Sequence, residues 1–223
     1  MHLSAEDTDL ARLIALLHDI GRFEQLKRYD SFEPGTMDHA AYGVKVLFDE
    51  GMIRRFLPND KWDSIIYTAI AHHSDYELPE ISDPQTLLHA KLIRDEDKLD
   101  NCRVKLVDST STFLNVSEEE LGTQNITQKV YETVFENKCI LSADRVTQMD
   151  YWVSYIVYFF DINFKESFDI IAENDYLNRI IDRIPYSNPY YKKANGKIRT
   201  YMQKFVTHIQ AIGYLNLLSS RNQ

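Results

Sequence analysis

With 223 residues, 44% of them hydrophobic, the chain has apolar material for one large helical domain or for a core with an extension. A formal net charge of -9 and a pI near 5.3 exclude a surface built to grip duplex nucleic acid, whose phosphates it would repel. Cys102 and Cys139 are too few for a disulfide framework and too far apart for a Cys-x-x-Cys site, and the longest nearly apolar run, Trp152 to Phe160, falls short of the ~20 residues that span a bilayer. With no signal peptide, the expected protein is cytoplasmic and has no membrane partner.

Helix signals recur from end to end, and no segment shows the bounded two-residue alternation of a strand, so the predicted fold class is all-α. Ser4, followed by Glu6 and Asp7, reads as an N-cap with an acidic first turn. Leu10, Leu13, Ile14 and Leu17 form one apolar stripe ending at Gly21, which places His18 and Asp19 in the last turn of that helix. Thr36 is the expected cap of a second helix carrying His39, Val44, Leu47 and Phe48 and stopping near Gly51. A third follows Pro58, capped by Asn59 or Asp60, with Trp62, Ile65, Ile66, Ala69 and Ile70 on its apolar face and His72 and His73 at its end.

Asp83-Pro84 is a start signal, because proline at the first helical position loses no hydrogen bond and has its φ already set. This fourth helix carries Leu87, Leu88, Leu92, Ile93 and Asp97. Capping patterns follow at Ser117 with Glu120 and at Thr127, then an aromatic-rich helix near residues 143–161, shorter helices to Pro185, and a last helix opened by Asn188-Pro189 and running to about Leu218. The aromatics Tyr151, Trp152, Tyr155, Tyr158, Phe159 and Phe160 recur at helical spacing, which predicts core packing and not a base-stacking platform.

The imidazoles and carboxylates at helix ends in the first half are His18, Asp19, His39, His72, His73 and Asp97, contributed by four consecutive helices. Such a set suits one or two divalent ions such as Mn, Fe, Mg, Co or Zn, and the absence of thiolates disfavours a structural zinc. His89 and His208 lie outside the set and are expected to be packed or solvated.

His18-Asp19-Ile20-Gly21-Arg22 resembles the signature turn of the HD-domain metal-dependent phosphohydrolases, which usually have lysine in the fifth place. His39, in Asp38-His39-Ala40-Ala41-Tyr42-Gly43, is similar to the His-x-x-x-Gly element of the two-metal members. His72-His73 resembles their His-His step, and Asp97, between Glu96 and Lys98, their final metal-binding aspartate. The resemblance covers roughly residues 5–105. It implies an HD/phosphodiesterase-like helical bundle, with 1–110 as the metal-binding core and 111–223 as a helical extension packed on the same domain.

The resemblance further implies a first ion on His18, Asp19 and Asp97, and a second on Asp19, His39 and one or both of His72 and His73, with Asp19 bridging. The family's site begins with another histidine on a helix upstream of the His-Asp helix. His2 is the sole histidine before His18 and lies on the lead-in of the same helix, so it is not expected to serve. The chain is then expected to be a fragment, a late-start form or a degenerate member. The implied activity is hydrolysis of a phosphate ester by metal-activated hydroxide, with Asp19 in the machinery, Arg22 holding a phosphate oxygen, and Lys98 a weaker candidate for the same task. Asp95 and Asp100 are candidates to orient ligand imidazoles. A small phosphorylated substrate, a nucleotide or similar metabolite, fits the acidic surface. Cyclic dinucleotides are disfavoured, because Ser74-Asp75-Tyr76-Glu77-Leu78-Pro79 stands where the family members that cleave them have Gly-Tyr-Pro. Two other outcomes of the same fold are a di-iron oxygenase and a non-catalytic regulatory module.

Overall fold

The computed structural model describes residues 3–32 and 36–212. Among them every regular element is helical: α1 (Ala5–Leu17), α2 (Arg22–Tyr29), α3 (His39–Val44), α4 (Asp63–Ala71), α5 (Pro84–Val107), α6 (Thr110–Leu114), α7 (Glu118–Leu121), α8 (Gln128–Val134), α9 (Gln148–Val157), α10 (Lys165–Glu173), α11 (Tyr176–Arg183) and α12 (Pro189–Ile212). No helix is long and apolar enough to cross a membrane among these residues. The chain divides into two compact units, Met1–Asp97 and Lys98–Gln223, and the division falls inside α5, ahead of the boundary expected near residue 110. His2 and the expected helix end at Leu218 lie outside the described residues.

In the first unit, α1 begins where Ser4 Oγ accepts the Asp7 amide at 3.0 Å. Its Leu10, Ile14 and Leu17 share one face and are buried with Ile65, Ile66, Ala69 and Ile70 of α4, with Val44, Leu47, Ile53 and with Ile93 of α5. The start of α1 is tied to α5 through Asp7, whose Oδ1 accepts from Gln85 Nε2 at 2.7 Å and lies 3.2 Å from Nε2 of the buried His89. Side-chain hydrogen bonds from Ser4, Gln85 and His89 hold the Asp7 carboxyl down to about 2.

Three local features of the first unit depart from the sequence pattern. The sequence pattern did not predict α2, because its Phe23, Leu26 and Tyr29 are exposed and its buried residue is Gln25, the reverse of an amphipathic signal. Asp38, not Thr36, caps α3, its Oδ1 accepting the Ala41 amide at 2.9 Å, while Thr36 instead accepts from Gln25 Nε2. One π-helical turn, Lys45–Asp49, then continues α3 to the left-handed Gly51. Finally, α4 starts after Trp62 with no side-chain cap, so neither Asn59 nor Asp60 fills that role.

The second unit packs around Trp152, Val153, Ile156 and Phe159, with Phe168, Ile171, Ile181, Ile198 and Met202 among the residues buried against them. Of the aromatics expected to pack, Trp152, Phe159 and Phe160 are buried in this core, and Tyr151 and Tyr155 pack against it half-buried. The aromatic helix is shorter than 143–161: a capping box between Thr147 and Asp150 opens α9 at Gln148, and a 3-10 turn, Tyr158–Asp161, ends it. Asp150 is fully buried and joins two helix starts. Its Oδ1 accepts from Thr127 N (2.8 Å) and Thr127 Oγ1 (3.2 Å), and its Oδ2 from the amides of Val146 and Thr147 (3.0 Å each). Four donors compensate for the desolvation of one carboxylate, and removing it strands them. Asp150→Ala is therefore expected to destabilise the second unit by roughly 2–4 kcal/mol, read as a lower denaturant midpoint.

Candidate metal centre

The His-Asp turn is built by backbone bonds. His18 closes α1 on Ile14 O at 2.9 Å, Ile20 N bonds Leu17 O at 3.0 Å and Arg22 N bonds Asp19 O at 2.9 Å, so Gly21 passes directly into α2. A Cβ on Gly21 would lie 2.0 Å from His39 O and 2.8 Å from Gly43 N, so only a glycine lets this turn rest on the first turn of α3. Gly43 lies across from it, with Ile20 Cγ2 at 3.3 Å from where its own Cβ would stand. This backbone-to-backbone approach brings His39 against Asp19.

Three imidazoles then converge on one carboxylate. His39 Nε2 lies 3.3 Å and His73 Nε2 3.7 Å from Asp19 Oδ1, while His18 Nε2 lies 3.7 Å from Asp19 Oδ2. His18 Nε2 is also 3.8 Å from Asp97 Oδ1, presented by α5. His39 Nε2 and His73 Nε2 are 3.0 Å apart, close to the separation of two nitrogens each ~2.0–2.1 Å from one shared ion.

The tautomers suit ligation. His18 Nδ1 donates to Ala15 O and His73 Nδ1 to Ile70 O, each at 2.8 Å, which leaves the Nε2 lone pair of the neutral ring facing Asp19. Asp19 Oδ1 is buried and accepts no hydrogen bond, a costly state that the Arg22 guanidinium, 3.5 Å away, eases by charge alone. His18, Asp19 and His73 offer donor atoms all within 4.8 Å of one another, a spread that one ion can gather. The donor set therefore fits a divalent metal.

The electrostatics describe what an ion must displace. Burial opposes charging His18, but Asp97 and Asp19 outweigh it and push the imidazole up to about 9. Burial also raises Asp19, yet the contacts of His39 and His73 and the charges of His18 and Arg22 prevail and hold its carboxyl far below the usual range. Burial lowers His39, which keeps that ring neutral. A metal-free centre at neutral pH thus carries a proton on His18 between two carboxylates.

Other expected site residues divide. Arg22 lies at the cluster edge, Nε 3.5 Å from Asp19 Oδ1, and its Nη1 donates to Oε1 of the fully buried Gln25 at 2.8 Å. Gln25 in turn donates to Thr36 Oγ1 at 2.8 Å. This Gln25 support was invisible in the sequence because α2 was. His72 is not drawn into the cluster: its Nδ1 lies 2.6 Å from Asp75 Oδ2 and its side chain is about one-third exposed. Two successive residues at a helix end point ~100° apart, and here His73 takes the inward direction. Lys98 has its Nζ paired with Asp161 Oδ2 at 2.8 Å. Asp100 pairs with Arg103 at 2.7 Å and orients no imidazole through that bond, and Asp95 is buried. His208 is exposed on α12.

Two outcomes follow for metal binding. His73→Ala is expected to weaken Co(II) or Mn(II) affinity by more than about tenfold, while His72→Ala leaves it within about threefold, measured by calorimetric titration. Because an ion on His18 Nε2 must expel a proton held up to about 9, apparent affinity rises with pH from 7 and levels above that value. Below it, metal uptake releases about one proton from this ring, detectable by titration in buffers of different ionisation enthalpy.

No curated protein and no solved structure matches the chain. A family model does: that of the HD domain matches residues 1–102, a span that contains the His18-Asp19 turn, His39, His73 and Asp97. The converging imidazoles, the position of Asp19 among them and this match agree: residues 1–102 are similar to the HD domain, a domain of the metal-dependent phosphohydrolase superfamily.

Proposed function

We propose that the protein hydrolyses a phosphate ester of a small molecule, a nucleotide or similar phosphorylated metabolite, and does so in the cytoplasm. One observation carries the reading: the buried Asp19 Oδ1, which accepts no hydrogen bond, faces the Nε2 atoms of His39 and His73 while Oδ2 faces His18, so the two oxygens of one carboxylate address two sets of imidazoles. His18, Asp19 and Asp97 would hold one ion and Asp19, His39 and His73 a second. Bound there, divalent metal lowers the pKa of a coordinated water and neutralises phosphoryl charge.

The remaining work belongs to the chain. Arg22, braced by Gln25, offers its guanidinium beside Asp19, where it can hold non-bridging phosphate oxygens by two parallel bonds. Gly21 and Gly43 keep the His-Asp turn against α3, so the groups are in place before substrate arrives. The net charge of -9 works against long polyanions and leaves recognition to this local patch.

Protein loaded with Mn, Co, Mg or Fe is expected to release p-nitrophenol or phosphate from generic esters. Asp19→Ala should lower kcat/KM by about a hundredfold or more, whereas Arg22→Ala should cost about 10–100-fold and act largely through KM. Metal bound at full stoichiometry with no hydrolysis of any ester would sink the proposal and leave the di-iron oxygenase standing, whereas protein without bound metal would favour the non-catalytic module.

A further inference from the structure

Arg94 is absent from the ligand set and from the phosphate-binding residues, yet it is only 2% exposed. A guanidinium withdrawn from water to this degree is costly unless its N–H groups are answered. Here they are answered by main chain: Nη1 donates to the carbonyls of His72 (3.0 Å), His73 (3.4 Å) and Asp75 (2.6 Å), and Nη2 to that of Tyr76 (3.3 Å). These carbonyls follow the C-terminus of α4, where helix geometry leaves acceptors without partners and the dipole favours a cation. The turn they form carries both histidines of the His-His pair.

Arg94 stands three residues before Asp97 on α5, so the two side chains leave the same side of one helix. One of them meets His18 and the other grips the turn that ends in the His73 imidazole. The helix face thereby fixes the distance between a ligand it carries itself and a ligand it does not carry. The same grip extends to Asp75 O, and the Asp75 side chain is the partner that keeps His72 facing outward.

We propose that Arg94 is a positioning residue of the metal centre, which by clamping the carbonyls of residues 72–76 selects His73 over His72 as the ligand opposite Asp19 and registers it against Asp97. The proposal rests on the metal-binding reading above and deepens it, since it assigns the choice of ligand to a residue that touches no ion.

The test uses the full chain with Co(II), following affinity by titration and ligand geometry by the visible absorption of the bound ion, beside melting of the metal-free protein in chelator. In Arg94→Gln the affinity is expected to fall about 10–100-fold and the cobalt spectrum to change in position and intensity, as loss of a ligand's outer support does. Arg94→Lys should fall between, since a single ammonium retains the charge but not the planar fork. A purely structural role predicts lower melting of the metal-free variants with wild-type affinity and spectrum, and that result overturns the proposal. If Arg94→Gln does not fold, Arg94→Lys carries the comparison. Failure of both to fold would make Arg94 a folding determinant and also counts against it. Wild-type protein that binds no Co(II) refutes the metal-binding reading itself, an outcome separate from a variant that binds as wild type.

Discussion

The buried oxygen of Asp19, Oδ1, is the constraint on which the first unit's metal centre turns. A buried carboxylate oxygen without a hydrogen bond is unfavourable, and the Nε2 atoms of His18 and His73 beside this carboxylate are acceptors, not donors, whenever those rings are neutral. Within the protein, His18, which despite burial is pushed up to about 9 by Asp97 and Asp19, faces the other oxygen, Oδ2, and the Arg22 guanidinium stands 3.5 Å from Oδ1 without a hydrogen bond to it. A divalent ion relieves it better, because it satisfies the same lone pairs together. The apo fold is thus electrostatically prepared for a cation, and a proton is the competitor it must expel.

Reaching that arrangement requires two kinds of support. The first is steric: the turn after α1 lies so close to α3 that any side chain at Gly21 would collide with His39 O, and the ligand on α3 is thereby brought within 3.3 Å of Asp19. The second is polar: Ala15 O and Ile70 O orient two rings, Gln25 orients Arg22, and Arg94 gathers the carbonyls after α4. Each of these partners is a main-chain oxygen or a residue outside the recognised motif. Such supports determine ring direction, and ring direction decides whether a histidine is a ligand or a surface group.

Much of the helical framework was legible because its signals are local. Ser4, Ser117 and Thr127 cap where the pattern placed them, and Asp83 accepts the Thr86 amide at the start of α5. The helix that failed, α2, has an exposed apolar side and a buried glutamine, so periodicity carried no correct instruction there. Thr36 failed as a cap for a related reason: its hydroxyl answers Gln25, eleven positions away, and short-range pattern is blind to that bond. Lys98, similarly, is paired with Asp161 from far along the chain.

By itself the sequence determined the all-helical class and the identities of the candidate ligands, because helix periodicity, caps and a His-Asp turn are written within a few residues of one another. Tertiary structure alone decided which atoms face the centre. His72 and His73 are chemically equal in the sequence, and only the turn after α4, with Asp75 on one side and His39 on the other, sends one outward and one inward. The same holds for Arg94, whose role depends on carbonyls about twenty positions earlier. Side-chain direction at a helix end follows from the contacts made there, and those contacts come from elsewhere in the chain.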